Sequence, residues 1–280
     1  MVTKLKAKNK IFDSRAISMT ITVIAIALIL IYEAVGFERI FGAVDDPDIK
    51  LLTDMTVTRA LGGVVFFTIV LYLGYRVNNP FVKPFWKSLL FTLPAFAVVI
   101  NNLPIYPLMS SMATVTDHWS KILLLVAECF CIGFFEEYCF RGMVFLGFLE
   151  KRRDSVKGRF LAIIFTSAVF GAVHAVNLFL GASPVAVLMQ IGYSFLIGAM
   201  CSVVLIKTAN LWMCVILHGV FDFCGALVPT CGKGIIWEPF TITVTVVIAV
   251  AVTVYMTVAF FKIKTEEVDR IYPILDKKEK

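Results

Sequence analysis

Apolar runs of about twenty residues recur along this 280-residue chain, and no other feature of it constrains the fold as strongly. A helix of that length spans the hydrocarbon core of a bilayer. Inside lipid every backbone polar group must find an internal partner, which leaves helices and closed barrels as the only spanning structures. A transmembrane barrel needs alternating segments of about ten residues, and these runs do not alternate. The composition agrees, since 59% of residues are hydrophobic and only 16% charged, against roughly one quarter charged in soluble domains. The expected class is therefore all-α, a polytopic transmembrane helical bundle. Eight spans can be drawn, at 16–36, 55–75, 86–108, 119–149, 159–180, 184–206, 208–230 and 235–261. The fourth is long enough to tilt or to project from the membrane. Pro94 and Pro104 are expected to kink or end the third. Without an internal repeat or low-complexity stretch, residues 1–280 read as a single integral-membrane domain.

The charges orient the spans. Lys4, Lys6, Lys8, Lys10 and Arg15 precede the first. Arg76, Lys83 and Lys87 fall between the second and third. Lys151, Arg152, Arg153, Lys157 and Arg159 lie between the fourth and fifth, and Lys207 between the sixth and seventh. Lys262, Lys264, Arg270, Lys277, Lys278 and Lys280 follow the last. Every second connection is thus basic, which puts these segments and both termini in the cytoplasm. The opposite side holds Asp45, Asp46, Asp48 and Asp54. The net charge of +6 is therefore a topology signal, and no nucleic-acid partner is expected. The run Ile17–Tyr32 is long for a signal-peptide core, so it reads as an uncleaved span. Seven Cys, most of them inside apolar runs, imply no disulfide framework.

Ionisable groups inside spans are costly and usually face a cavity or a partner. The fourth span contains Glu136-Glu137-Tyr138-Cys139-Phe140-Arg141. Glu137 and Arg141 are i,i+4 and can pair. Glu136 lies about 100° away on the helical wheel and is left for chemistry. A structural ion cluster is an equally serviceable reading of these six residues alone. The fifth span carries Phe170, His174 and Asn177 on one face, beside the small residues Gly171, Ala172 and Ala175, which would admit a close helix. The seventh carries His218 and Asp222 at i,i+4, where a carboxylate can orient an imidazole. Each pair could instead be interhelical glue.

Depth favours a shared site. Measured from Glu150, Arg159 and Lys207 at about 1.5 Å per residue, Glu136 lies roughly 21 Å deep, His174 roughly 22 Å and His218 roughly 16 Å. Independent helix staples have no reason to coincide in one layer. A carboxylate with two imidazoles can take a proton from water. The imidazoles can hold zinc or stabilise an oxyanion directly. The order is not His-Glu-x-x-His, so a soluble-type zinc protease site is not indicated.

The three elements resemble the signature of the CPBP family of intramembrane proteases, which includes CAAX prenyl proteases of type 2 and bacterial Abi proteins. The pattern Glu-Glu-x-x-x-Arg, Phe-x-x-x-His, His-x-x-x-Asp/Asn is met by Glu136, Glu137 and Arg141, by Phe170 and His174, and by His218 and Asp222. It covers about residues 119–225. The resemblance implies an endopeptidase acting on a membrane-associated peptide or protein, in a bacterial plasma membrane, with lipid as its surroundings. By it, Glu136 activates water with help from His174, and His218 and Asp222 hold the oxyanion or a metal. Glu137 and Arg141 would be structural, and Asn177 would assist. Zinc is a candidate cofactor, with His174, His218 and Glu136 as its ligands. Metal-free chemistry is preferred, because a third zinc ligand would have to be Glu136 or Asp222, each already needed elsewhere. The alternative is a non-catalytic membrane partner, such as a bacteriocin self-immunity or sensor-binding scaffold. A proton-coupled transporter would predict inverted repeats, and none is found in the sequence.

The topology has a direct test. Single cysteines introduced on a Cys-free background in the 150–158 loop should react only from the cytoplasmic face, and those in the 37–54 loop only from outside. External labelling of the 150–158 loop would invert the map.

Overall fold

A computed structural model describes residues 46–79 and 85–273. The expected span at 16–36, the N-terminal basic cluster, Asp45, Lys83 and Lys277, Lys278 and Lys280 lie outside these residues. In chain order the elements are α1 (Pro47–Tyr72), α2 (Phe85–Asn101), α3 (Ile105–Met109), β1 (Ala113–Val115) and α4 (Trp119–Glu137). A π-helical segment, Tyr138–Phe145, leads from α4 into α5 (Leu146–Glu150). Then come α6 (Val156–Val173), which ends in a 3₁₀ turn at His174–Leu178, α7 (Pro184–Thr208), α8 (Leu211–Cys231), β2 (Gly232–Gly234), α9 (Pro239–Phe261) and α10 (Thr265–Asp269). Strands β1 and β2 pair antiparallel in a short ribbon, with Ala113 opposite Gly234, so the described part is helical but not purely so.

Five helices among the described residues are long and apolar enough to cross a membrane: Pro47–Tyr72, Val156–Leu178, Pro184–Thr208, Leu211–Cys231 and Pro239–Phe261. Two expected spans differ from this pattern. Helix α2 runs through Pro94 but ends at Asn101, before Pro104, and its 17 residues reach about 25 Å, short of a typical core. Helix α4 carries Lys121, Glu128, Glu136 and Glu137 within 19 residues, more charge than a plain lipid-spanning segment tolerates. Its charges must therefore be answered inside the bundle. The outer helices face the other way: α9 leaves Val246, Val247, Val250, Val254 and Val258 exposed, as suits contact with acyl chains.

Side-chain caps begin most of the long helices. Asp46, Ser155, Ser183, Asn210 and Glu238 each accept hydrogen bonds from backbone N–H groups of the first turn. Pro follows at the first helical position in α1, α7 and α9, where its missing N–H is not needed.

The last described segment ties together one end of the bundle. Arg76 N–H donates to Ile271 O, Tyr272 Oη donates to Leu146 O, and Arg153 pairs with Asp269 at 3.2 Å. Arg159 donates to Ile263 O, and Arg270 donates to Lys207 O. Lys207 pairs with Glu267 at 2.9 Å. Burial alone would raise the Glu267 carboxyl, but the Lys264 N–H and the Lys207 ammonium hold it below the usual carboxylate range. Arg76, Arg153, Arg159, Lys207 and Arg270, from four separate basic segments, thus meet at a single end.

Helices α4 and α8 approach through two glycines. A Cβ on Gly133 would sit 2.8 Å from Val215 O and 3.0 Å from Gly219 N. One on Gly219 would sit 3.2 Å from Cys129 O. The Gly133 contacts are backbone atoms that cannot rotate away, so this position sets the helix separation. Gly171 serves α6 and α7 likewise, its Cβ site lying 2.8 Å from Ile191 O, whereas Ala172 on the same turn is exposed and makes no such approach. Gly133→Ala should destabilise the protein by about 1–3 kcal/mol, the usual effect of overpacking. Gly147→Ala, with nothing within 4 Å of its Cβ site, should be neutral or slightly stabilising. Thermal unfolding in detergent compares the two.

Candidate active site

The paired glutamates leave α4 in different directions. The Glu137 side chain is fully buried, and its Oε1 lies 2.9 Å from Arg141 Nη1. The same oxygen accepts a hydrogen bond from His218 Nδ1 at 2.7 Å. Arg141 stands with its Cζ 4.1 Å from the centroid of the Phe170 ring. It fits there because residue 198 is glycine, whose Cβ site is 2.9 Å from Arg141 Nη2. Glu136, with 18% of its side chain exposed, instead lines a partly open cavity of about 1720 Å³ between the helices.

That cavity collects most of the expected residues: Glu136, His174, Asn177, His218 and Asp222 all line it. Glu137 and Arg141 stand behind its wall. His218 is buried, and its ring is held from both sides. With Nδ1–H given to Glu137, its Nε2 lies 3.4 Å from Asp222 Oδ2 and 3.7 Å from Glu136 Oε2. The sequence suggests Asp222 as the group orienting this imidazole; the short hydrogen bond belongs to Glu137, and Asp222 faces the opposite nitrogen. Glu137 therefore does more than balance Arg141.

His174 stands where α6 tightens into its 3₁₀ turn. Its Nδ1 lies 3.0 Å from Phe170 O, and a carbonyl only accepts, so Nδ1 carries the proton. In the neutral ring Nε2 is then the acceptor. The Phe170 ring meets both imidazoles edge-on, with centroids 5.4 Å from His174 and 5.8 Å from His218. Asn177 Nδ2 donates to Gln190 Oε1 at 2.8 Å, which ties the turn to α7.

The fit to zinc is poor. Among the described residues, Glu137, Cys201 and Cys214 are the group of three or more candidate ligands whose donor atoms lie within 4.8 Å of one another. All are buried, and the Glu137 oxygen already serves Arg141 and His218. Glu136, His174 and His218 are not gathered that closely.

Two cavity residues escape the sequence reading. Arg59 on α1 and Glu128 on α4 both line the cavity. The rule that singled out Glu136, an ionisable group within an apolar helix, applies to them equally.

Comparison with known proteins bears on this constellation. Residues 118–224 match the family model described as type II CAAX prenyl endopeptidase Rce1-like. The stretch that holds both glutamates, both histidines and the aspartate is thus similar to the CAAX proteases, as its motifs suggest. Among curated proteins and among solved structures, nothing matches the chain.

The shared Glu137 contact sets an order of stabilities. Glu137→Ala strips Arg141 and His218 of their common acceptor and should lower the melting temperature most. Breaking a buried pair costs about 3–5 kcal/mol in soluble cores. Arg141→Ala should follow, and Asp222→Asn, at a cavity position where the side chain is 26% exposed, should change stability least. Thermal unfolding of the purified variants checks this order.

Proposed function

We propose that this chain is an intramembrane endopeptidase whose Glu136 activates water for attack on a peptide bond of a membrane-associated peptide or protein. The observation that carries the reading is the separation of the paired glutamates. One is locked between Arg141 and His218, and the other faces the cavity beside the His218 imidazole. The match over residues 118–224 supports the same class.

In this reading Glu136 accepts a proton from a cavity water as the oxygen bonds to the carbonyl carbon. His174 Nε2, freed as an acceptor by the Nδ1–H bond to Phe170, orients that water. His218 acts here as the imidazolium, giving Nδ1–H to Glu137 and meeting the oxyanion that forms through Nε2–H, with Asp222 beside it. Glu136 then returns the proton to the amine nitrogen as the C–N bond breaks. The products are a carboxylic acid and an amine, which exchange a proton to leave as carboxylate and ammonium. Glu137 is a positioning residue, since its bond to Nδ1 leaves Nε2 as the nitrogen directed at the reaction. No step requires a metal.

The proposal includes the full topology: eight spans, both termini cytoplasmic, and the clamped end at the cytoplasmic face. The meeting of four basic segments at that end supports it. The candidate substrate class is a peptide that reaches the site from the lipid phase.

Comparison of protein N-termini in membranes carrying wild type or Glu136→Gln identifies the substrate. Glu136→Gln should accumulate and fold normally while cleavage falls by about 10²–10⁴-fold. Normal cleavage by this variant removes the general base from the scheme. Elemental analysis of the active, detergent-purified enzyme should find no stoichiometric zinc. One zinc per chain, lost with activity in His174→Ala and His218→Ala, would replace the metal-free scheme.

A further inference from the structure

Arg59 presents a guanidinium to the cavity with no hydrogen bond and no ion pair within 4 Å among the described residues. It lies in α1, thirteen residues short of the helix end at Tyr72, within a segment long and apolar enough to span a membrane. A charge in such a place is usually paired. Here the contact that holds it is aromatic: Cζ sits 5.3 Å from the centroid of the Phe135 ring. Phe135 immediately precedes Glu136 on α4. The nearby acid is Glu128, two turns back along α4 at a rise of roughly 12 Å from Glu136. It lines the same cavity but does not come into ion-pair contact with Arg59. The other α1 residues that line the cavity are Asp48, which pairs with Lys121 at 2.9 Å, and the apolar Leu51, Leu52, Met55 and Phe66.

We infer that Arg59 is a specificity-determining residue that takes a carboxylate of the bound peptide. The inference rests on the proteolytic reading of the cavity. The planar guanidinium can grip a carboxylate with two parallel N–H···O bonds, a geometry an ammonium does not reproduce. The Phe135 ring lies against the group, and among the described residues no hydrogen bond takes up its N–H donors. Because Phe135 and Glu136 are consecutive, a carboxylate held there lies within a few residues of the bond facing Glu136. Glu128 limits the affinity of the empty site by offering a distant negative charge to the same cation. The carboxylate can come from a peptide C-terminus or from an acidic side chain.

The test uses the full chain carrying Glu136→Gln, so that binding is read without turnover. The probes are N-acetylated apolar hexapeptides with a free C-terminal carboxylate, with an amidated C-terminus and one internal Glu, or with an amidated C-terminus and no acid. At least one acidic form should bind ten-fold or more tighter than the uncharged form, and which one does so identifies the source of the carboxylate. Adding Arg59→Gln should abolish the preference, and Arg59→Lys should restore part of it. Adding Glu128→Gln should enlarge it, whereas a structural Arg59–Glu128 pair would make both substitutions equally damaging to binding and to melting temperature. Equal binding of all three peptides, or a preference that survives Arg59→Gln, overturns the assignment. Failure of the proteolytic reading has a different signature: Arg59-dependent binding of acidic peptides with no cleavage by the wild-type chain.

Discussion

One buried oxygen, Oε1 of Glu137, receives both the guanidinium of Arg141 and the Nδ1–H of His218, and the arrangement of the site follows from that convergence. A lone carboxylate at this depth would be strongly unfavourable. Two donors from opposite directions offset the penalty, and each then has its own position fixed. Arg141 belongs to the turn that follows Glu137 and is packed on Phe170. His218 belongs to another helix, which can reach Glu137 only because Gly133 and Gly219 let the α4 and α8 backbones nearly touch. Helix spacing, charge balance and imidazole orientation are therefore one problem with one solution.

This solution explains why adjacent residues of the same type have different parts. On a helix, neighbours point about 100° apart. Once Glu137 is turned into the protein by two partners, Glu136 has no choice but the cavity. The aromatic ring of Phe170 packs against the Arg141 guanidinium and meets both imidazoles edge-on, so one side chain braces all three.

Much of this was legible in the sequence. The spans drawn at 184–206, 208–230 and 235–261 nearly coincide with α7, α8 and α9, because hydropathy over twenty residues is a local property. The i,i+4 relation of Glu137 and Arg141 was readable for the same reason. The contact between Glu137 and His218 was not, since it joins residues 81 apart in sequence and depends on which faces of α4 and α8 the glycines bring together. Hydropathy also could not foresee that the long fourth segment widens into a π-helix, or that α2 stops at Asn101. Arg59 is a different case. Its charge within an apolar run was visible, but it belongs to none of the three motifs, and only the cavity gives it a neighbour of interest.

The π-helical stretch between α4 and α5 has a consequence for the length of the chain itself. Such wide turns accommodate residues that an α-helix of the same height would not, and they often accompany functional sites. Residues Tyr138–Phe145 therefore work as a spacer that sets the angular phase between the glutamates upstream and Leu146–Glu150 downstream. Removing one residue there would let a regular α-helix run through unbroken. Local hydrogen bonding would improve, and the narrower turns would largely make up for the lost residue. Substitutions within this stretch would alter the packing of single side chains, whereas a residue deleted from the regular α-helix before it, with no wide turn to absorb the loss, would rotate a whole wall of the bundle by about 100°. The count of residues, as much as their identity, is what keeps Arg141 facing Glu137.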